Sequence, residues 1–255
     1  MAAARMDCAQ AATKFVADGT RITAAESVPA GLTVSGMAQP YPMPAHCKLT
    51  GRMHERTGSD GKPYAIGFEM RLPQAWNGRF FYQANGGIDG SVVTATGPNS
   101  GGAPVSNALQ MGFAVISSDA GHSGPPWWGL DPQARLDYGY QAVGSLTPMA
   151  KGLIKVAYGR APDRSYFGGC SNGGRHAFVT AARLPEAYDG ILAGAPGYNL
   201  PQAALAQLYA AQQFARAMGD EHEPESARDE PIHQRRFGHD IDGTHRVVED
   251  HVGTL

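Results

Sequence analysis

The sequence predicts an α/β protein: a mostly parallel sheet that begins, at its N-terminal end, with antiparallel strands. Three observations carry this. Segments between about residues 47 and 84 alternate apolar and polar residues around short turns, as adjoining antiparallel strands do. From residue 79 onward, strands alternate with loops or helical stretches, the order that a parallel sheet with crossovers produces. Finally, a strand runs through Gly169-Cys170-Ser171-Asn172-Gly173 directly into a helix.

Composition bounds the answer further. The 255 residues suffice for one α/β domain or two small ones, and 42% hydrophobic with 17% charged residues suits a globular protein with a core. A net charge of −2 argues against a nucleic-acid partner. No apolar run approaches the ~20 residues that cross a bilayer, so no membrane partner is expected. Residues 1–7 lack the apolar stretch of a signal peptide, so either the protein is cytoplasmic or a leader is not included. The three cysteines, Cys8, Cys47 and Cys170, leave at least one thiol unpaired.

Taken in order, residues 7–17 suit a short helix or packed arm, and Thr20 to Val28 a strand. Residues 40–44 (Pro-Tyr-Pro-Met-Pro) form a stiff, extended connector. Residues 47–54 alternate as a half-buried strand with His54 on its polar face, where a solvated role is expected. A turn at 58–63 leads to Ile66, Phe68, Met70 and Leu72, the clearest strand in the chain. Asn77-Gly78 marks a turn, residues 79–84 a strand, and a Gly/Ser/Pro loop then extends to about Ser106. Residues 112–118 are continuously apolar, as in a strand covered on both faces. Leu136, Tyr140, Val143, Leu146, Met149 and Leu153 keep helical spacing past Pro148, which is expected to kink the helix or to start a new one capped by Thr147. Residues 164–167 form a strand, 175–184 a helix, 190–196 a further buried strand, and Leu208, Ala211, Ala215 and Met218 a last helix. An antiparallel start followed by this alternation fits the α/β-hydrolase architecture.

Two segments are expected, a partial α/β-hydrolase domain over 1–218 and a polar tail over 219–255. The tail holds five of the nine histidines; its six-residue spacing (His233, His239, His245, His251) puts no set of them on one face of a helix or strand, so it reads as poorly ordered and not as a metal site.

The chemistry centres on Ser171. In a G-x-S-x-G turn between strand and helix, the glycines let the two elements close around a strained residue, and the helix N-terminus favours a developing negative charge. Ser171 is the expected nucleophile. The backbone N–H of Asn172 is the expected first oxyanion donor, and Gly87, with Gly86 next in order, the second, from the loop after the first strand of the parallel run. A serine hydroxyl also needs a base and an acid to orient it. None is evident after Ser171: Asp189 sits in a turn where a structural role is expected. His122 and Asp119 precede the serine on one loop and suit structural roles, and His176 suits packing or polar surface.

Several co-ordered motifs then carry a resemblance: residues 46–51 (HCKLTG), 76–80 (WNGRF), 85–87 (NGG), 118–124 (SDAGHSG), 137–140 (DYGY), 166–174 (YFGGCSNGG) and 188–196 (YDGILAGAP). Across roughly residues 8–218 the chain resembles the tannase/feruloyl esterase family of serine esterases, which includes hydrolases of terephthalate esters. The resemblance implies a secreted or periplasmic carboxylic ester hydrolase acting on small aromatic esters, feruloyl or galloyl, through an acyl-enzyme. It implies a Cys8–Cys47 disulfide. It also implies that Cys170 would pair with a cysteine beside the catalytic histidine; that cysteine, the histidine and the catalytic aspartate would follow an inserted lid domain and are not found here. The lid of similar proteins carries calcium; no cofactor is assigned to this chain. Gly144 departs from the family pattern, where histidine is common. The chain thus reads as the N-terminal part of such an esterase, impaired in activity, with a non-catalytic α/β binding domain or inert fragment as the alternative. Lacking further strands, its sheet is expected to end in an exposed apolar edge.

Overall fold

The structure, a computed structural model, describes residues 7–33, 41–98, 107–124 and 126–218. The chain divides into two compact units after Tyr198. The expected tail, 219–255, lies outside the described residues, as does the end of the Gly/Ser/Pro loop.

The first unit is built on a seven-stranded sheet. Its strands are β1 (Thr20–Val28), β4 (His46–Thr57), β5 (Pro63–Pro73), β6 (Arg79–Ala84), β7 (Ala114–Ser118), β8 (Arg164–Cys170) and β9 (Gly190–Gly194). Their order is β1-β4-β5-β7-β6-β8-β9. The β1/β4, β4/β5 and β5/β7 pairs are antiparallel, whereas β6 lies parallel between β7 and β8, and β9 runs parallel to β8. The antiparallel start and the parallel remainder therefore follow the sequence pattern. β2 (Gly31–Thr33) and β3 (Tyr41–Met43) form a separate antiparallel ribbon, so most of the expected proline-rich connector is a paired strand.

Registers place Leu49, Met70, Ile116, Tyr82 and Phe167 on one face of the sheet. That face carries the main core, closed by helices α3 (Ala142–Tyr158) and α4 (Asn172–Arg183) through residues such as Leu146, Leu153 and Ala177. Tyr82 and Phe167 stack there with ring centroids 4.9 Å apart. The opposite face is covered at its centre by a smaller cluster of Met43, Ala95, Ala108, Leu109 and Val115. Polar groups on this face are satisfied from the loop above it: Ala95 N–H donates to Glu69 and Gly97 N–H to Gln83. Helix α1 (Cys8–Lys14), capped by the Asp7 carboxylate, is bound to β4 by the Cys8–Cys47 disulfide.

Two expectations need correction. Pro148 does not start a new helix: α3 runs through it. The proline lies on the exposed side, and the carbonyl it leaves without a partner belongs to half-exposed Gly144. Thr147 is no cap, because its hydroxyl bonds Val143 O and the Tyr188 hydroxyl, each at 2.6 Å. The irregular turn comes earlier, where α2 (Pro132–Leu136) passes into a π-turn at Asp137–Gln141 before α3 begins. The second correction concerns β9, expected to be buried. It is the edge of the sheet, and Leu192 is 54% exposed beside an apolar cavity lined by Phe81, Phe113, Tyr166 and Ile191.

In the second unit, α5 (Leu200–Met218) follows Asn199, whose carbonyl accepts from Gln202 and Ala203 N–H.

Candidate active site at the β8–α4 turn

Strand β8 ends at Cys170 and α4 begins at Asn172, leaving Ser171 alone to turn the chain. Its backbone angles are φ +59°, ψ −118°, a conformation that L-residues avoid and that the surrounding structure must enforce. Enforcement is visible in the backbone bonds. Ser171 N–H donates to Gly194 O at 3.0 Å, and Ser171 O accepts from Arg175 and Gly197 N–H, also at 3.0 Å. The flanking glycines are sterically required. A Cβ on Gly169 would stand 2.6 Å from Ala84 O, and one on Gly173 would meet Ala84 and Asn85, so β6, β8 and α4 close together only because side chains are missing there.

The loop after β6, Asn85 to Gly90, stands beside this turn, and a Cβ on Gly86 would lie 3.7 Å from Cys170 O. Asn85 is buried; its Nδ2 donates to Ser117 Oγ (3.0 Å) and Ser118 O (2.8 Å), joining the ends of β6 and β7. Gly87 (φ +66°), Asp89 (φ +57°) and Gly90 (φ +86°) are all left-handed, and Gly86 and Gly87 are exposed.

Beneath the turn lies a polar cluster that the sequence did not reveal. His176, read as packing or surface, is buried (3% exposed), with Nε2 2.8 Å from Asp89 Oδ2 and 3.0 Å from the Arg175 guanidinium. The same oxygen accepts from Asn172 Nδ2 at 2.6 Å. Asn172 Oδ1 in turn accepts from Tyr138 OH at 2.9 Å and Arg175 Nε at 2.7 Å, which fixes the orientation of its amide. The Arg175 guanidinium stacks over the Tyr138 ring at 4.3 Å, while burial pushes the Tyr138 phenol up in pKa and keeps it a donor. The π-turn that contains Tyr138 aims it at the first turn of α4.

Neither buried histidine here is placed as a base. His176 has Nε2 engaged by Asp89 and Arg175, and its Nδ1 is buried without a partner. His122 donates from Nε2 to Ile88 O at 2.8 Å and stacks on Trp128 at 3.9 Å; burial lowers its pKa. Among the described residues, no histidine is bonded to the Ser171 hydroxyl. Asp119 does not pair with His122: its Oδ1 accepts from Gly67 and Gly121 N–H at 3.0 and 2.8 Å, and burial pushes its pKa up to about 7. Asp189 holds Ser165 N–H at 2.8 Å, the structural role expected of it. Cys170 is a free, half-buried thiol. No group of three or more His, Cys, Asp or Glu among the described residues is placed to hold a metal ion, and no described helix is long and apolar enough to cross a membrane.

Comparison with known proteins gives this geometry a context. The profile of the family described as tannase and feruloyl esterase matches residues 47–232. A mono(2-hydroxyethyl) terephthalate hydrolase of Piscinibacter sakaiensis is 45% identical over 185 residues, covering 69% of this chain and 30% of that protein. A probable feruloyl esterase B-1 of Neosartorya fischeri is 35% identical over 133 residues, covering 51% of the chain and 24% of that protein. The crystal structure of feruloyl esterase B from Aspergillus oryzae superimposes with a TM-score of 0.63 at 27% identity, over 76% of this chain and 38% of that one. The chain thus spans about a third or less of the length of the curated relatives it matches. Its mixed sheet agrees with these matches, and the chain belongs to the tannase and feruloyl esterase family.

Proposed function

We propose that this chain carries the nucleophile half of a serine carboxylesterase acting on small aromatic acid esters, feruloyl, galloyl or terephthaloyl. The observation that carries the reading is Ser171 itself, alone between strand and helix at φ +59° and ψ −118°. Structures keep such strain where a function needs it, and a serine in this turn projects its hydroxyl above the sheet. The backbone supports the assignment of donors. Ser171 N–H is already committed to Gly194 O, whereas Asn172 opens α4, where first-turn N–H groups lack intrahelical acceptors. Asn172 N–H is one oxyanion donor and Gly87 N–H, on the exposed loop facing the turn, the other.

In the proposed reaction the Ser171 oxygen attacks the ester carbonyl, its proton leaves to a base, and the carbonyl oxygen becomes an oxyanion held by the two N–H groups. Collapse expels the alcohol and leaves the aromatic acyl group on Ser171; water then releases the acid. Among the described residues no histidine is bonded to the Ser171 hydroxyl, and where no base reaches it the oxyanion site and binding supply what rate remains. Relatives named as hydrolases of feruloyl and terephthalate esters support the substrate class. Secretion is part of the same proposal. The test is release of ferulate and gallate from their methyl esters by the purified chain and by Ser171→Ala. Turnover, however slow, that vanishes in the variant supports the proposal; equal rates from both proteins overturn it.

A further inference from the structure

We infer that Asp89 is a positioning residue whose carboxylate ties together the two arms of the oxyanion site, an inference that rests on the serine-nucleophile reading above. The two proposed donors come from segments distant in sequence: Gly87 from the loop after β6, Asn172 from the first turn of α4. Asp89 belongs to one arm and grips the other. Its backbone is two residues from Gly87, and its Oδ2 accepts from the Asn172 side chain at 2.6 Å and lies 2.8 Å from Nε2 of His176, one turn along the same helix.

The Gly87 arm needs such a grip. Gly86, Gly87 and Ile88 are exposed, so no packing holds them, and two adjacent glycines lose more conformational entropy on ordering than any other pair. Their anchors follow immediately in sequence. Ile88 O accepts from His122, Gly90 N–H donates to Asp119 O at 3.2 Å, and between them the Asp89 side chain, 3% exposed, is the contact that reaches the nucleophile helix. Aspartate also suits the backbone: φ +57° is tolerated by Asp and Asn better than by other side-chain-bearing residues.

The Asn172 arm is fixed by the same oxygen. Asn172 donates to Asp89 and accepts from Tyr138 and Arg175, so its side chain is held from both ends and the backbone N–H beside Ser171 inherits that orientation. His176 buttresses the carboxylate from below through Nε2. The histidine–aspartate pair therefore serves as a clamp under the nucleophile, not as its base.

Two readouts on the full chain test this, each with Asp89→Ala and with the milder Asp89→Asn, which keeps an acceptor for Asn172 and loses the charge. The first is labelling of Ser171 by a fluorophosphonate, followed by mass mapping and resolved into a binding constant and a maximal rate. Removing a fixed oxyanion donor outright costs about 10²–10³ in rate; loosening two of them should cost about 10- to 100-fold in the maximal rate for Asp89→Ala and less for Asp89→Asn, with the binding constant unchanged. The second is amide exchange across residues 86–88 and 172–176, which should accelerate in both variants while exchange in β4 and β5 stays as in the parent. Folded variants that label at the parental rate and keep parental exchange overturn the clamp. A folded parent that does not label at Ser171 overturns the nucleophile reading instead, and exchange then decides the clamp by itself: acceleration confined to the two segments supports it, parental exchange refutes it.

Discussion

Replacing Asp119 by asparagine should remove a pH-dependent component of stability that the parent protein carries between about pH 4 and 7. Asp119 sits where β7 ends, with Oδ1 accepting from Gly67 and Gly121 N–H and Oδ2 pressed against Gly67. Burial outweighs those two bonds and moves its pKa from 3.8 up to about 7. The folded state therefore holds this proton more tightly than the unfolded one. Its contribution is fully present below pH 3.8 and is lost as pH rises through about 7. A shift of ~3 units at 1.36 kcal/mol each sets the size at about 4 kcal/mol. Asparagine keeps the Oδ1 acceptor for both N–H groups and cannot ionise. His122 and His46 work in the opposite direction, because burial lowers both and their contributions fade as pH falls below 6.5. They are present in both proteins and cancel in the difference. Urea unfolding at pH 4.5, 6, 7 and 8.5 reads it directly: the variant should gain on the parent by about 2 kcal/mol or more across that range. Parallel curves would refute the argument that Asp119 is buried as a neutral acid.

Other outcomes follow from the same structure. Gly173→Ala should cost about 3 kcal/mol or prevent folding, since the new Cβ would meet Ala84 O and, at 2.9 Å, Ala84 C; a melting temperature unchanged from the parent would refute the close approach. Cys8→Ala with Cys47→Ala opens a crosslink spanning 39 residues, worth about 4 kcal/mol on the loop-entropy estimate, and denaturant unfolding of the double variant beside the parent measures it. Arg56→Met leaves the carboxylate of Asp131, 2% exposed, without the guanidinium that holds its pKa well below the usual range; a loss of about 3 kcal/mol at neutral pH is expected, shrinking below pH 3.8 as Asp131 protonates.

How much of this was legible beforehand depended on how local the signal was. β5 announced itself because Ile66, Phe68, Met70 and Leu72 alternate along one segment, and the turn at Ser171 because strand, glycines and helix are contiguous. The β1 bounds, Thr20–Val28, agree with the sequence reading at both ends. The pairing of His176 with Asp89 spans 87 positions and exists only because β6 and β8 lie in parallel register, Ala84 opposite Gly169, so no spacing within the sequence encodes it. Burial of β9 was misjudged for a similar reason: residues 190–196 look apolar enough for a central strand, but position in the sheet is set by neighbours. The start of a new helix at Pro148 was misjudged because a proline is tolerated within a helix when the unpaired carbonyl is near water, as at Gly144. The glycines beside Ser171, by contrast, could be read from chemistry alone, since a Cβ at Gly169 or Gly173 would meet the backbone of Ala84.

The central claim is that Ser171 is a nucleophile held ready by the fold. Incubating the folded chain with a fluorophosphonate and mapping the adduct by mass tests it most directly, because phosphonylation reads an activated serine without requiring turnover. The account predicts a single adduct on Ser171, absent after unfolding in urea and absent in Ser171→Ala. Folded protein that stays unmodified, or that is modified equally at other serines, would contradict it.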